Sequence, residues 1–363
     1  MNRFTKLTTM KILYALQATG NGHISRANEI LPYLKKLGEI DILLSGTQAN
    51  IDLNFHIKFR RIGLSFVFGK NGGVDYLQTI KKINSKQFIK EIKTIPVEKY
   101  DLIINDFEPL SAWACKIKNI PCISVSHQYA VLDKAAPKPL RFDPFAWVVL
   151  KYYAPCKSGI GFHFKKYSKS ITTPVIREEI RNAYSRNLGH YTVYLPAYSA
   201  EKIINVLSQF KNIQWHIFTK DCKKSYSEKN CWIRPINTID FTDSFISCEG
   251  ILTGGGFETP AEALFMKKKL LVIPMKKQYE QQCNGEALKE MGVPVLNSLK
   301  KKHYDKIDTW LNSKQKIAIN YDNNIEEIVH FIENEFEKYS VKPILNNIDF
   351  YTPKKPSIHL TSS

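Results

Sequence analysis

The sequence predicts an α/β protein built from two doubly wound parallel sheets that face each other across a cleft. Three observations carry this. Short apolar runs alternate with helical periodicity in both halves of the chain. Each half contains a Gly-bearing turn leading from a strand into a helix. At 363 residues the chain is too long for one ordinary core and suits two.

The elements follow in order. Residues 11–17 (KILYALQ) read as a buried strand and 18–22 as a turn. After His23, the residues Ile24, Ala27, Ile30, Leu31, Leu34 and Leu37 recur at helical spacing. Gly38 is expected to stop that helix, and 40–44 to form the next strand, completing a βαβ unit. Residues 100–105, ending in Asp106, and 121–126, ending in His127, are further strands, with a short helix around Trp113 and Ala114 between them. The first domain is expected to span 1–172, and the charged, Pro-containing segment 173–187 to connect it to a second domain at 188–340. There the pattern restarts: strands at 190–195, 213–219, 250–253 and 270–274, and helices at 199–210, after the glycines at 254–256, and at 325–339. That last helix is expected to pack back on the first domain, and the polar, Pro-bearing segment 341–363 to be an appendage.

Composition narrows the function. No run of about 18 apolar residues marks a membrane span. The stretch from Met1 to Met10 lacks an apolar core, so no secretory signal is expected there. Seven cysteines, an odd number without a CxxC pair, indicate neither a disulfide framework nor a zinc site, and a reducing cytoplasm is the expected location. The formal net charge of +18 reflects either a compositional bias toward Lys, Ile and Asn or an anionic partner such as a nucleotide or membrane surface. Nucleic acid is not expected, because no recognition motif with its aromatic spacing occurs.

Two segments concentrate the chemistry. The first is Thr253-Gly254-Gly255-Gly256-Phe257-Glu258-Thr259-Pro260-Ala261-Glu262. Glycines let backbone approach a ligand, and a helix start offers unpaired N–H groups to phosphate oxygens. A tight turn accounts for the glycines equally well. Thr259-x-x-Glu262 with Pro260 also reads as a capping box. Downstream lies Glu280-Gln281-Gln282-Cys283-Asn284, and Ser199 opens the first helix of the second domain, as a phosphate contact or as an N-cap. The second segment is Gly20-Asn21-Gly22-His23-x-x-Arg26. As a dinucleotide fingerprint it is weak, since its third glycine is missing. A helix N-terminus disfavours imidazolium, so an imidazole there is suited to accept a proton. Asp106, Glu108 and His127 follow strand ends, on the rim expected to face the cleft. Asp106 either orients His23 or caps the next helix. Asp106-Phe107-Glu108 only superficially suggests an Asp-x-Asp metal site, and no metal is expected.

Taken together, the glycines Gly254, Gly255 and Gly256, Glu262, and Glu280-Gln281 with Asn284 resemble the donor-binding region of GT-B glycosyltransferases. The resemblance is to the family 1 and family 28 types, which include plant-type glucosyltransferases and the bacterial enzyme that adds N-acetylglucosamine to lipid I. It covers roughly residues 10–339 and implies two Rossmann-like domains. It further implies glycines on the donor diphosphate, Glu262 on the ribose hydroxyls, and Glu280 and Gln281 on the donor sugar. By the same resemblance His23 is the base that activates the acceptor, with Asn21, Gly22, Arg26, Glu108 and His127 on the acceptor side. The nucleotide-sugar, UDP-linked by resemblance, is a substrate, and no cofactor is implied. The acceptor is expected to be a glycan or a lipid-linked hydroxyl. A UDP-sugar 2-epimerase of the same fold, or a noncatalytic sugar-nucleotide-binding protein, would keep the cleft without the transfer.

Two stretches bear on location. In 75–95, Lys82, Lys86, Lys90 and Lys93 share one helical face, with Leu77, Ile80, Phe88, Ile92 and Ile95 opposite. This is a solvated face above a core, or a peripheral contact with anionic lipid on the inner face of the membrane. Residues 140–153 mix Arg141 and Lys151 with Phe142, Phe145, Trp147, Tyr152 and Tyr153, as core packing, acceptor wall or membrane patch.

Overall fold

The computed structural model describes residues 10–18, 20–46, 53–64 and 85–340. The expectations for residues 1–9, Leu77, Ile80, Lys82 and 341–363 lie outside the described residues.

The first sheet contains β1 (Met10–Gln17), β2 (Gly38–Ser45), β3 (Ile57–Arg61), β4 (Leu102–Asp106), β5 (Ile123–Ser126), β6 (Ser158–Phe162) and β7 (Ile171–Thr172). Their order is β3-β2-β1-β4-β5-β6-β7, every pair parallel. Ile12 through Leu16 have no exposed surface, as expected of a central parallel strand covered on both faces. The helix Asn21–Leu34 lays Ile24, Ala27, Ile30, Leu31 and Leu34 on this sheet. Gly38 does not stop that helix, which ends at Leu34; it opens β2, where a β-carbon would collide with the Met10 carbonyl.

The second sheet contains β8 (His190–Tyr194), β9 (Gln214–Thr219), β10 (Tyr226–Glu228), β11 (Cys231–Pro235), β12 (Gly250–Gly254) and β13 (Lys269–Ile273), in the order β10-β11-β9-β8-β12-β13. It departs from the expected all-parallel sheet at one edge, where β10 pairs with β11 antiparallel. β3, β6, β7, β10 and β11 were not anticipated. The helix Ile325–Ser340 does return to the first domain: it packs on the helix Asn21–Leu34, Ile328 and Ile332 join an apolar cluster that runs through both domains, and Lys166 pairs with Glu327 at 2.8 Å. Among the described residues no helix is long and apolar enough to cross a membrane.

Strand order positions the site. In the first sheet the winding direction reverses between β1 and β4, and in the second between β8 and β12. Ligands of open α/β sheets bind beyond the carboxyl ends of strands at such switch points. The β1–β4 register sets Leu16 beside Asp106, so Asp106 stands next to the turn that begins the His23 helix.

Candidate active site

A cleft of about 660 Å³ lies between the two switch points. His23, Arg26 and Gly22 line it from the first domain, and Gly254, Gly256 and Glu258 from the second.

On the first-domain wall Asp106 is fully buried. Its Oδ1 lies 2.8 Å from His23 Nδ1, and it accepts from Arg26 Nε at 3.1 Å and Nη2 at 2.8 Å. Burial works against the Asp106 charge, but Arg26 and then His23 outweigh it and hold the carboxyl below its ordinary value. An ionised Asp106 takes the Nδ1 proton as a hydrogen bond, which fixes the ring and leaves the Nε2 lone pair for the cleft. Burial would lower the Arg26 guanidinium; Asp106 and Glu258 reverse that and raise it.

The two readings of Asp106 are thereby separated. It orients His23, and the capping role falls to Glu108, whose carboxylate accepts from Leu110 N at 2.9 Å and Ser111 N at 2.7 Å to start the helix Pro109–Lys118. Glu108 is fully buried in that cap and lines no part of the cleft, which corrects its placement on the acceptor side. Between the two acids Phe107 takes a left-handed φ of 57°, rare outside glycine, and stacks on Tyr153 at 4.7 Å. This turn sends Asp106 toward His23 and Glu108 into the cap, so the two acids do not pair. Among the described residues no group of His, Cys, Asp and Glu is arranged to hold a metal ion.

His127 begins the helix His127–Leu132 and lines the cleft, but both ring nitrogens are engaged. Nδ1 lies 2.7 Å from Phe162 O and Nε2 2.9 Å from Asn284 Oδ1, and the ring stacks on Phe257 at 4.0 Å. It is a strut between the domains. Asn21 and Gly22 both line the cleft.

On the second-domain wall the glycines differ in their reasons. A β-carbon on Gly255 would lie 2.8 Å from Gln281 O and 3.1 Å from Pro274 Cα, so close packing of the helix Tyr279–Glu290 requires glycine there. Gly256 faces open space. Gln281 Oε1 accepts from Gly255 N at 3.0 Å and Met275 N at 2.9 Å, and Asn284 Nδ2 donates to Gly255 O at 3.0 Å. These two amides brace the glycine loop from beneath. Asn284, fully buried, does not line the cleft. Glu280 does, and receives Gln128 Nε2 at 3.1 Å.

Glu262 lines the cleft and is held by one edge of Arg177, whose Nε donates to Oε1 at 2.6 Å and Nη2 to Oε2 at 2.9 Å. The capping-box alternative does not occur: the helix Glu258–Phe265 starts after Phe257 without a side-chain cap, and Glu262 turns toward Arg177. Ser199 caps the helix Ala200–Leu207 through Lys202 N at 3.4 Å and lies outside the cleft lining. Sequence reading missed Arg177, Gln128 and Glu258. Arg177 sits in the connecting segment with Arg181 and Arg186, where nothing local distinguishes one arginine from the others.

The sequence matches, over residues 10–315, the family described as Glycosyl transferase family 1. No curated protein is similar in sequence. Three solved structures illustrate the fold. UGT89C1 of Arabidopsis thaliana complexed with UDP has 12% identity and a TM-score of 0.57, covering 91% of this chain and 99% of that one. Acinetobacter baumannii MurG has 12% identity and a TM-score of 0.53, covering 91% and 99%. Spinosyn forosaminyltransferase SpnP has 10% identity and a TM-score of 0.53, covering 92% and 96%. The chain belongs to glycosyltransferase family 1 and is a sugar-transferring enzyme of the GT-B fold.

Proposed function

We propose that the enzyme moves a sugar from a nucleoside-diphosphate sugar, UDP-linked, to a hydroxyl of a glycan or lipid-linked acceptor, with inversion and without a metal. The observation that carries this reading is the His23–Asp106 pair at 2.8 Å, set opposite a glycine loop on the facing domain. His23 Nε2 takes the acceptor proton as the oxygen attacks the anomeric carbon. The bond from that carbon to the phosphate oxygen breaks, and the nucleoside diphosphate leaves. Backbone N–H groups at the start of Glu258–Phe265 face the leaving charge. Glu262, oriented by Arg177, is assigned to the ribose diol. The related fold solved with UDP supports the choice of base. The test is incubation with a panel of nucleotide-sugars and an envelope lipid and glycan extract, with and without EDTA. Release of UDP with a glycosylated product of inverted anomeric configuration, insensitive to EDTA, is expected. Epimerised donor without nucleotide release, or binding without turnover, would replace this reading.

We further propose that the enzyme works at an anionic membrane surface. Lys86, Lys90 and Lys93 are exposed on the helix Ser85–Thr94 while Ile92 is buried, the amphipathic arrangement expected. A second face supports contact more strongly. Leu140, Phe142, Phe145, Val148 and Tyr152 are exposed on and before the helix Pro144–Tyr153, whose Val149 and Leu150 line the cleft. Lys116 and Lys151 lie over Trp113 and Trp147, at 4.7 and 4.8 Å, beside them. An apolar patch rimmed by cations suits an anionic bilayer. Sedimentation with anionic vesicles is expected, reduced by salt and by Phe142→Ser with Phe145→Ser; equal partitioning to neutral vesicles, or none, removes this part of the proposal.

A further inference from the structure

Arg26 is anchored on one edge and presents the other across the cleft. Nε and Nη2 donate to Asp106 within the first domain. Nη1 donates to Glu258 Oε1 in the second domain at 2.7 Å, joining residues 232 positions apart. The guanidinium is buried, with 3% of its side chain exposed, whereas Glu258 is 32% exposed. Glu258 is the first residue of the helix that follows the glycine loop. Its carboxylate also lies directly over the α-carbon of Gly22, where a β-carbon would collide with both of its oxygens. A carboxylate therefore stands between the glycine loop and the His23 turn.

That position is paradoxical for an enzyme whose donor carries a diphosphate. Two anions in one narrow mouth repel, and one of them has to leave. Arg26 need not move, because its bonds to Asp106 fix it whichever anion it faces. A guanidinium edge donates to a phosphate oxygen as readily as to a carboxylate oxygen.

We propose that Glu258 is the resident counter-anion of the empty cleft, and that the donor diphosphate displaces it from Arg26 Nη1. The inference rests on the nucleotide-sugar reading above. In the loaded cleft Glu258 turns to solvent and Arg26 faces the leaving group. When the acceptor oxygen bonds to the anomeric carbon, its proton passes to His23. The electron pair of the breaking carbon–oxygen bond stays on the diphosphate, beside Arg26. One carboxylate, Asp106, then positions both the base and the cation, and Glu258 lowers donor affinity while keeping the buried guanidinium paired in its absence.

The exchange predicts a gain of affinity from removing a cleft residue. Glu258→Gln is nearly isosteric and still accepts a hydrogen bond from Arg26. Calorimetry with inorganic pyrophosphate, UDP and a UDP-sugar is expected to show each binding about tenfold tighter than to the unaltered enzyme, a difference of ~1.4 kcal/mol. The gain should shrink as ionic strength rises. Unchanged or weaker binding of pyrophosphate and UDP overturns the inference. So does weaker UDP-sugar binding with UDP unaffected, which would make Glu258 a sugar-hydroxyl contact. A gain for pyrophosphate with no UDP binding to either protein upholds the exchange and removes the nucleotide-sugar reading instead.

Discussion

Asp106→Asn separates the two tasks that Asp106 performs. Its carboxylate is fully buried, receives two groups of Arg26 and holds His23 Nδ1 at 2.8 Å. Breaking a buried ion pair from one side costs about 3–5 kcal/mol. Here Arg26 keeps Glu258, and the asparagine carbonyl still accepts one Arg26 bond, so the lower end, about 3 kcal/mol, is expected. At roughly 2–4 °C per kcal/mol the melting temperature falls by about 6–12 °C. Activity should fall further than stability. The asparagine amide donates to Nδ1, so the ring proton moves to Nε2 and the base loses its lone pair. Loss of a positioned base costs about 10²–10⁴ in rate. Turnover measured by UDP release, with the donor saturating and at a temperature where the variant is folded, should fall by that order. A turnover within about threefold of the unaltered enzyme, alongside the lower melting temperature, would refute the orienting role. The charge also makes acid stability testable. Because the folded carboxyl lies below its ordinary 3.8, its contribution is complete above that value and is lost as pH falls below it; the variant should lack that loss.

Other predictions follow from single contacts. Glu262→Gln should weaken UDP binding by about 10–100-fold, the scale of charge-assisted hydrogen bonds to a diol; unchanged affinity with a lower melting temperature would leave Glu262 only as the partner of Arg177. Gly255→Ala forces a β-carbon to 2.8 Å from Gln281 O, so about 1–3 kcal/mol of stability and much donor affinity should be lost, measured by denaturant unfolding and calorimetry; a neutral variant refutes the close-approach argument. His216, stacked on His190 at 3.8 Å, is pushed down to about 4 by burial first and His190 second. The unfolded chain therefore takes up a proton there that the folded chain refuses, and melting temperature should fall as pH drops from about 6.5 to 4, a slope that His216→Gln flattens.

What the sequence made legible was local. An apolar run of strand length identified β1, and helical periodicity identified the helix laid over it. The strand-end rule brought His23, Asp106 and the glycine loop to one cleft. β6 escaped because its SGIGF sequence reads as a breaker, yet Gly161 is there to admit the backbone of Ala130 in the helix that crosses it. The same rule that found Asp106 misplaced Glu108, since the left-handed turn at Phe107 decides which acid faces the cleft. Gln281 and Asn284 were legible as a motif, but not as braces, because their partners at Gly255 lie 26 and 29 residues away. Arg26 with Glu258, and Arg177 with Glu262, are pairs of separation 232 and 85, and only the closing of two sheets on each other reveals them.

The central claim is that His23 is the base of a sugar transfer. It is tested most directly by the turnover of His23→Ala, with UDP-sugar and the glycan or lipid acceptor both saturating. The account predicts a fall of about 10²–10⁴ in kcat with donor affinity within a few fold, because His23 is assigned to the acceptor proton and to no atom of the donor. Near-unaltered turnover in His23→Ala, with product formed at the same anomeric configuration, would contradict it.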